Sequence, residues 1–134
     1  MIKRIVLDFG TLEFHGNVAI GIINEGIDLT QEQESEIFSF CQQQFGDENF
    51  AYISHRINSY SFNPFMHKEV ANLQDGLQAY AVVAKTPAQR LSFAIEKLFF
   101  KKPCGFFLSM EDALEWSRQH LKTRSNIQAF RRSK

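Results

Sequence analysis

A run of polar side chains between Ile57 and Pro64 is the stretch of this chain whose residue types suggest a site. Its candidate binding residues for a partner or ligand are Asn58, Ser59, Tyr60, Ser61, Phe62 and Asn63. Hydroxyl and amide groups both donate and accept hydrogen bonds, so together they could hold a ligand or a protein. The alternative is that these groups satisfy the hydrogen bonds of a turn and a helix cap, which serine and asparagine commonly do.

The other reactive residues of the chain do not predict catalysis. A hydrolase needs a nucleophile with a base and an orienting acid. No histidine is spaced from a serine or cysteine in a way that suggests such a set; the four histidines are His15, His55, His67 and His120. His55 is interpreted as a hydrogen-bonded strand histidine. Cys41 and Cys104 lack the close pairing of metal or dithiol motifs. We therefore predict no catalytic residue, no metal and no cofactor.

The elements on either side of the polar run would position it. Residues 50–57 are rich in apolar groups on both faces, which is typical of an interior strand covered on two sides. Asn63 can cap a following helix, and Pro64 suits its first position. In sheets with helices on their faces, a junction between a strand and a helix is where ligands and partners usually bind.

The rest of the chain alternates between strand and helix patterns. Residues 2–14 predict one strand bent at Gly10, and residues 18–24 predict a second strand paired with it in a hairpin. Helices are predicted from capping residues or prolines at Thr30, Pro64, Thr86 and Ser109. Short apolar strands are predicted at residues 79–84 and 104–108. The fold class is α/β, with a single-layer, mixed and mostly parallel sheet of about five strands, an N-terminal antiparallel hairpin and about four helices.

The buried faces of these helices follow from the spacing of their apolar residues. The first helix should bury Ile37, Phe38, Phe40, Cys41 and Phe45; the second, Met66, Val70 and Leu73; the third, Leu91, Ala94, Ile95 and Leu98; the last, Ala113, Leu114, Trp116 and Leu121. On the third helix Phe93 and Phe100 would then project outward, which predicts self-association as a homodimer through these two rings. The alternative is that Phe93 is covered by Ile127 and Phe130 of the C-terminal tail.

Length and charge restrict the function classes. The 134 residues suit one domain, and 15 bases balance 15 acids, so the molecule as a whole has no general attraction for nucleic acid or anionic membranes. No stretch is long enough to span a bilayer, and the start of the chain is too charged for a signal peptide. A cytoplasmic protein is expected. The predicted division is a domain at residues 1–121 and a basic tail at residues 122–134, which either is solvated or touches phosphates or a membrane surface.

Two features of the chain resemble the STAS/SEC14-like domains, the superfamily that includes anti-sigma factor antagonists. One is the N-terminal hairpin before alternating helices and strands. The other is the pair of blocks L-Q-A-Y-A-V-V-A-K-T-P-A-Q-R (77–90) and K-K-P-C-G-F-F-L-S-M-E-D-A-L-E-W-S (101–117). They are similar to the last strands and helices of the bacterial branch, where a Val-Val-x-Lys-Thr strand end and a Phe-x-Ser-x-Glu-x-Ala-x-x-Trp helix start recur. The resemblance covers about residues 2–121.

The resemblance implies a regulatory function. In anti-sigma factor antagonists a serine in the corresponding loop is phosphorylated, and this controls binding to a partner kinase. The positional matches here are Ser59 and, second, Ser61. The main hypothesis is therefore a non-catalytic regulatory or protein-interaction domain that binds a protein partner through residues 58–65. The alternative, taken from the carrier branch of the same superfamily and from the fourteen phenylalanines, is a protein that binds a lipid or a small apolar ligand.

Overall fold

The computed structural model describes the backbone of residues 3–132 and the side chains of that range except Lys68 and residues 123–132. Its strands are β1 (Lys3–Leu7), β2 (Gly10–His15), β3 (Val18–Ile23), β4 (Asp28–Leu29), β5 (Phe50–His55), β6 (Ser61–Phe62), β7 (Leu77–Val83) and β8 (Cys104–Phe107). Its helices are α1 (Gln31–Phe45), α2 (Pro64–Asn72), α3 (Pro87–Lys97) and α4 (Met110–Arg132).

Six strands form the main sheet in the order β1-β2-β3-β5-β7-β8. β1, β2 and β3 are antiparallel neighbours, whereas β3, β5, β7 and β8 are parallel. The short strands β4 and β6 pair separately, with Asp28 opposite Ser61. The predicted fold class is confirmed: the structure is α/β, with a mixed sheet, an N-terminal antiparallel hairpin and four helices. The main sheet has six strands rather than about five.

The additional strand comes from residues 2–14, for which the prediction of a single strand was wrong. The chain reverses at Asp8 and Phe9, and Leu7 pairs with Gly10. Gly10 is needed for a close approach between strands, because a Cβ there would lie 2.2 Å from the carbonyl oxygen of Ile22. Phe9 is buried at this reversal. An alternating pattern cannot distinguish one long strand from two short ones joined by a tight turn.

The helices divide between the two faces of the sheet. Side chains of α1, α2 and α3 join one core cluster around Tyr52 and Tyr80, whereas Ala113 of α4 joins a second cluster with Ile53 and Val83. The central strands are therefore covered on both faces, as their unbroken apolar runs predict. The three helices that connect the parallel strands, α1, α2 and α3, lie on one face of the sheet. Because β5 and β7 are parallel, their carboxyl ends lie at the same edge, and α3 begins there.

Two helix faces differ from their predictions. On α2, Val70 is buried as predicted, Leu73 is exposed, and His67 lies inside. On α3, Phe93 and Glu96 are buried while Leu91, Ile95 and Leu98 are exposed, so the predicted orientation is inverted. The sequence of α3 has apolar residues on two opposite sides, and the one that carries Glu96 faces the sheet because Glu96 pairs with the buried Arg56.

The C-terminal predictions fall largely on side chains beyond those described. Helix α4 continues past residue 121 to Arg132. The basic tail side chains, and the contact of Phe93 with Ile127 and Phe130, lie outside the described residues. Over the described part of the chain, no helix has the length and hydrophobicity that a membrane crossing requires.

Candidate functional site

An open cleft of about 490 Å³ lies between the first turns of α3 and residues 56–63, which connect β5 to α2 and are called the polar loop below. Asn58, Ser59 and Tyr60 line one wall, and Thr86 and Gln89 line the other. The volume falls in the range of sites that hold small molecules or single side chains of a partner. The polar loop therefore lies at the border of a depression in the surface.

Hydrogen bonds fix the polar loop in place. Asn58 donates its amide to the carbonyl of Ile23 at 2.9 Å, and the Ser59 amide donates to Oε2 of Glu25 at 2.7 Å. Ser61 donates its hydroxyl to Asp28 at 2.8 Å. The Asn58 amide and the Ser61 hydroxyl thus satisfy hydrogen bonds of the turn, which is the role that the alternative interpretation of the sequence gave them. The exposed Ser59 side chain extends from a backbone that is held on both sides.

The predicted cap of α2 is also present. Asn63 accepts hydrogen bonds from the backbone amides of Phe65, at 2.9 Å, and Met66, at 3.4 Å. Pro64 follows at the first helical position. Asn63 therefore positions the end of the polar loop and the beginning of α2, which makes it a structural member of the predicted site.

The other wall of the cleft is equally well ordered by local bonds. Thr86 and Gln89 form a reciprocal capping box at the start of α3. Gln89 also donates its amide to the backbone carbonyl of Arg56 at 2.9 Å, which ties α3 to the first residue of the polar loop. Both walls of the cleft are therefore built on elements whose ends have satisfied backbone groups.

Arg56 forms the floor of the cleft and is almost completely buried. It donates two hydrogen bonds to Glu96, at 2.7 and 2.6 Å, and one to the hydroxyl of Ser54 at 3.1 Å. Burial lowers the pKa of Arg56, but the hydrogen bonds with Glu96 and the surrounding groups more than offset this and raise the pKa well above its ordinary value. The guanidinium is therefore charged, and its charge is balanced by Glu96 within the protein.

A chain of hydrogen bonds continues from Arg56 into the core. Arg56 donates to the hydroxyl oxygen of Tyr80 at 3.4 Å, and Tyr80 lies 2.8 Å from Nε2 of His67. Nδ1 of His67 makes a short hydrogen bond with Oε1 of Glu34. An arginine can only donate, so the bonds of this chain are consistent when the Tyr80 hydroxyl donates to Nε2 of His67 and Nδ1 of His67 donates to Glu34. The chain connects α1, α2, β7 and the polar loop.

A small cavity lies beside this chain. Its volume is about 10 Å³, which is close to the space that one water molecule needs. The cavity is lined by Glu34 and Tyr52, and the second carboxylate oxygen of Glu34 is buried without a protein partner. Burial raises the pKa of both Tyr52 and Tyr80 well above the ordinary value.

Tyr60 and Phe62 lie between the small cavity and the open cleft. Both residues line both spaces, as does Arg56, whose guanidinium lies 4.9 Å from the centre of the Phe62 ring. The Tyr60 hydroxyl is 3.3 Å from Ser54 Oγ. The two aromatic residues of the predicted site are therefore half-buried parts of a partition, and their polar and cationic contacts hold them there.

The surroundings of the two cysteine thiols disfavour the reactive thiolate form. Burial raises the pKa of Cys41 to about 12, and the same cause raises that of Cys104 to about 12. Burial, and then the charge of Lys85, lower the pKa of His55, which lines a smaller depression beside the cleft. Among the described residues, no group of histidine, cysteine and acidic side chains could hold a metal ion.

Phe93 and Phe100, predicted to be a surface for self-association, belong to the interior. Phe93 is buried, with its ring centre 5.8 Å from that of Phe106. Phe100 is half-buried, stacks on Tyr80 at 4.6 Å and contacts His67 at 5.3 Å. The prediction that these rings are exposed was wrong, because α3 turns its other apolar side to solvent.

Sequence reasoning missed the buried polar residues that organise the site, namely Glu34, Arg56, His67, Tyr80 and Glu96. A local signal existed for Glu34, which shares the face of α1 that carries Ile37, Phe38 and Cys41. Arg56 also directly follows a buried strand, where a charged residue needs a partner. The identity of that partner, forty residues away on α3, has no local signal.

Comparison of the chain with protein-family models, with curated proteins and with solved structures gives no match. The likeness to STAS/SEC14-like domains therefore rests on the two sequence blocks and the element order.

Proposed function

We propose that this chain is a non-catalytic regulatory domain, of the kind that anti-sigma factor antagonists represent, and that it binds a protein partner through the polar loop and the adjoining starts of α2 and α3. The observation that carries the proposal is a pair of exposed apolar side chains that flank the fixed loop. Ile57, at its start, is 62% exposed, and Phe65, on the first turn of α2, is 58% exposed. Exposed apolar side chains can serve as the anchors of an interface, whose centre is typically apolar and whose rim is polar.

The rigidity of the polar loop favours a binding role. A partner that docks on a loop already held by Ile23, Glu25 and Asp28 does not need to order it, so less of the contact energy is lost. The half-buried Tyr60 and Phe62 support the loop from below. The surface offered to a partner is then Ile57, Ser59 and Phe65 with the opposite wall of the cleft.

The non-catalytic part of the proposal is supported by the surroundings of the reactive side chains. His67 is buried and both of its ring nitrogens have protein partners. Cys41 and Cys104 are free thiols whose raised pKa keeps them protonated at neutral pH. Free thiols also agree with the cytoplasm, which we propose as the compartment.

Ser59 is the better of the two candidates for phosphorylation. The Ser61 hydroxyl is engaged with Asp28, whereas the Ser59 side chain is exposed at the cleft. A phosphate on Ser59 would stand close to Glu25, which binds the Ser59 amide. Like charges repel, so modification would weaken this attachment of the loop and with it the docking surface.

The alternative of a carrier for an apolar ligand has less support. Such a ligand needs an enclosed space of roughly several hundred Å³. The small cavity described above measures about 10 Å³, and charged and hydroxyl groups contribute to its lining beside apolar side chains. Most of the phenylalanines pack against one another or against the sheet, as with Phe45, whose ring centre lies 4.9 Å from that of Phe50.

The proposal is tested by co-purification of the tagged chain from its native cells. Ile57→Asp should lose the bound partner, because a charge would replace an apolar anchor. Val6→Asp is the matched control, since Val6 is 77% exposed on β1, away from the polar loop. Recovery of the same partner at equal yield with both variants would reject the loop as the binding site.

A further inference from the structure

Helix α3 has a second apolar side, which faces solvent. Leu91, Ile95 and Leu98 are 66%, 47% and 78% exposed, and they are called the α3 stripe below. At 100° per residue they lie opposite Phe93 and Glu96, the residues that α3 buries against the sheet. Three large apolar side chains in one row on a short exposed helix are more than scattered surface hydrophobicity.

The spacing of the α3 stripe matches the seam of a coiled coil. Ile95 comes four positions after Leu91, and Leu98 comes three positions after Ile95, so the row reads d, a, d in heptad notation. Leucine at d and isoleucine at a are the preferred residues for packing of two helices. The row can therefore pack into the apolar face of a second helix.

The charge around the stripe selects the kind of helix. Lys85, Arg90, Lys97 and Lys101 are all exposed along or beside α3. The only acid between residues 85 and 102 is Glu96, which is buried and neutralised by Arg56. The outer surface of α3 is therefore cationic. Two copies of this chain paired through α3 would bring these cations together, which opposes self-association.

We propose that the α3 stripe is a docking surface for an acidic amphipathic helix of a partner protein. Apolar residues of that helix pack between Leu91, Ile95 and Leu98, and its carboxylates are attracted by the cations along and beside α3, including Lys97 and Lys101. This surface lies on the side of α3 that faces away from the sheet. The proposal depends on α3 alone and would hold if the polar loop proved to have another role.

The test is a titration of the isotope-labelled full chain, followed by nuclear magnetic resonance, with a synthetic peptide of about three heptads. The peptide carries leucine and isoleucine at its d and a positions, glutamate at e and g, and alanine elsewhere. Saturable shifts of α3 resonances are expected, and added salt should weaken the binding. A peptide with lysine in place of glutamate should not bind.

Variants of exposed residues locate the contact without unfolding the chain. Ile95→Asp should weaken binding of the acidic peptide roughly tenfold or more, as should Lys97→Glu combined with Lys101→Glu. Val6→Asp and Ile57→Asp should leave it unchanged, and the Ile57 variant separates this result from the test of the polar loop. Unfolding midpoints in urea should match that of the unchanged chain for all of these variants.

Several results would overturn the proposal. One is the absence of α3 shifts with the acidic peptide at about millimolar concentration. Another is equal binding by Ile95→Asp. A dimer in sedimentation that Ile95→Asp dissociates would assign the stripe to a second copy, and binding to phosphatidylserine vesicles that Ile95→Asp abolishes would assign it to a membrane.

Discussion

Arg56 and Glu96 form a two-bond ion pair in which both side chains are almost completely buried, with nitrogen to oxygen distances of 2.7 and 2.6 Å. Arg56 belongs to the polar loop and Glu96 to the inner side of α3. The pair therefore fixes the distance between the two walls of the cleft and determines which side of α3 faces the sheet.

Loss of one member of this pair should be costly. Glu96→Leu leaves a buried guanidinium without its counter-charge, so we expect the free energy of unfolding in urea to fall by about 3–5 kcal/mol. Glu69→Leu, which removes an exposed acid from α2, should change it by less than about 0.5 kcal/mol. Combining Arg56→Met with Glu96→Leu should recover most of the loss. If Glu96→Leu is no worse than Glu69→Leu, the pair does not organise the fold.

Glu34 and His67 should be energetically coupled. Their side chains are hydrogen-bonded to each other inside the core, so the first substitution to alanine already removes the shared hydrogen bond and the second costs less. A double-mutant cycle in urea unfolding should give a coupling energy of about 1–3 kcal/mol. Effects that add to within about 0.5 kcal/mol would contradict the hydrogen-bond chain described for the site.

Gly21 is expected to be intolerant of a side chain. A Cβ on Gly21 would lie 1.9 Å from the Tyr52 hydroxyl oxygen, so Gly21→Ala forces the ring to move and should destabilise the protein by about 1–3 kcal/mol. Tyr52→Phe removes the oxygen that clashes, and it should lessen the effect of Gly21→Ala in the same urea assay. Gly21→Ala should lower the free energy of unfolding less in the Tyr52→Phe background than in the unchanged chain. Equal losses in the two backgrounds would refute this contact.

Alkaline pH should destabilise the fold through its buried thiols. Burial raises the pKa of Cys41 from 9.0 to about 12, so between these values the unfolded chain releases a proton that the folded chain keeps. The free energy of unfolding therefore falls as pH rises from 9.0 towards about 12 and is unaffected by this thiol at lower pH. Urea unfolding at several pH values should show a shallower decline for Cys41→Ala. An identical slope in both proteins would disprove the contribution of Cys41.

Periodicity was sufficient where one side of an element is clearly apolar. On α1 the sequence predicts Ile37, Phe38, Phe40, Cys41 and Phe45 inside; Phe40 is half-buried and the other four are buried. It was insufficient for α3, which has apolar residues on two opposite sides, because the choice depends on where Glu96 can find a positive partner. That partner follows β5, and only the assembled sheet brings the two together.

The candidate site shows the same division. The position of the polar loop at a strand end, and the caps at Asn63 and Thr86, follow from local residue order. The partition formed by Tyr60 and Phe62, and the buried chain through His67, depend on contacts between elements that are distant in sequence. The local preference of a residue for helix, strand or turn does not depend on such distant contacts, so these residues could not be assigned from the sequence.

Photo-crosslinking in cells tests the central claim most directly. A benzophenone side chain placed at Ile57 should form a covalent adduct with one specific protein, and the same group at Val6 should not, because only the polar loop faces the partner. The same adducts from both positions, or none from Ile57 while the chain is folded and expressed, would contradict the assignment of the polar loop as the binding site.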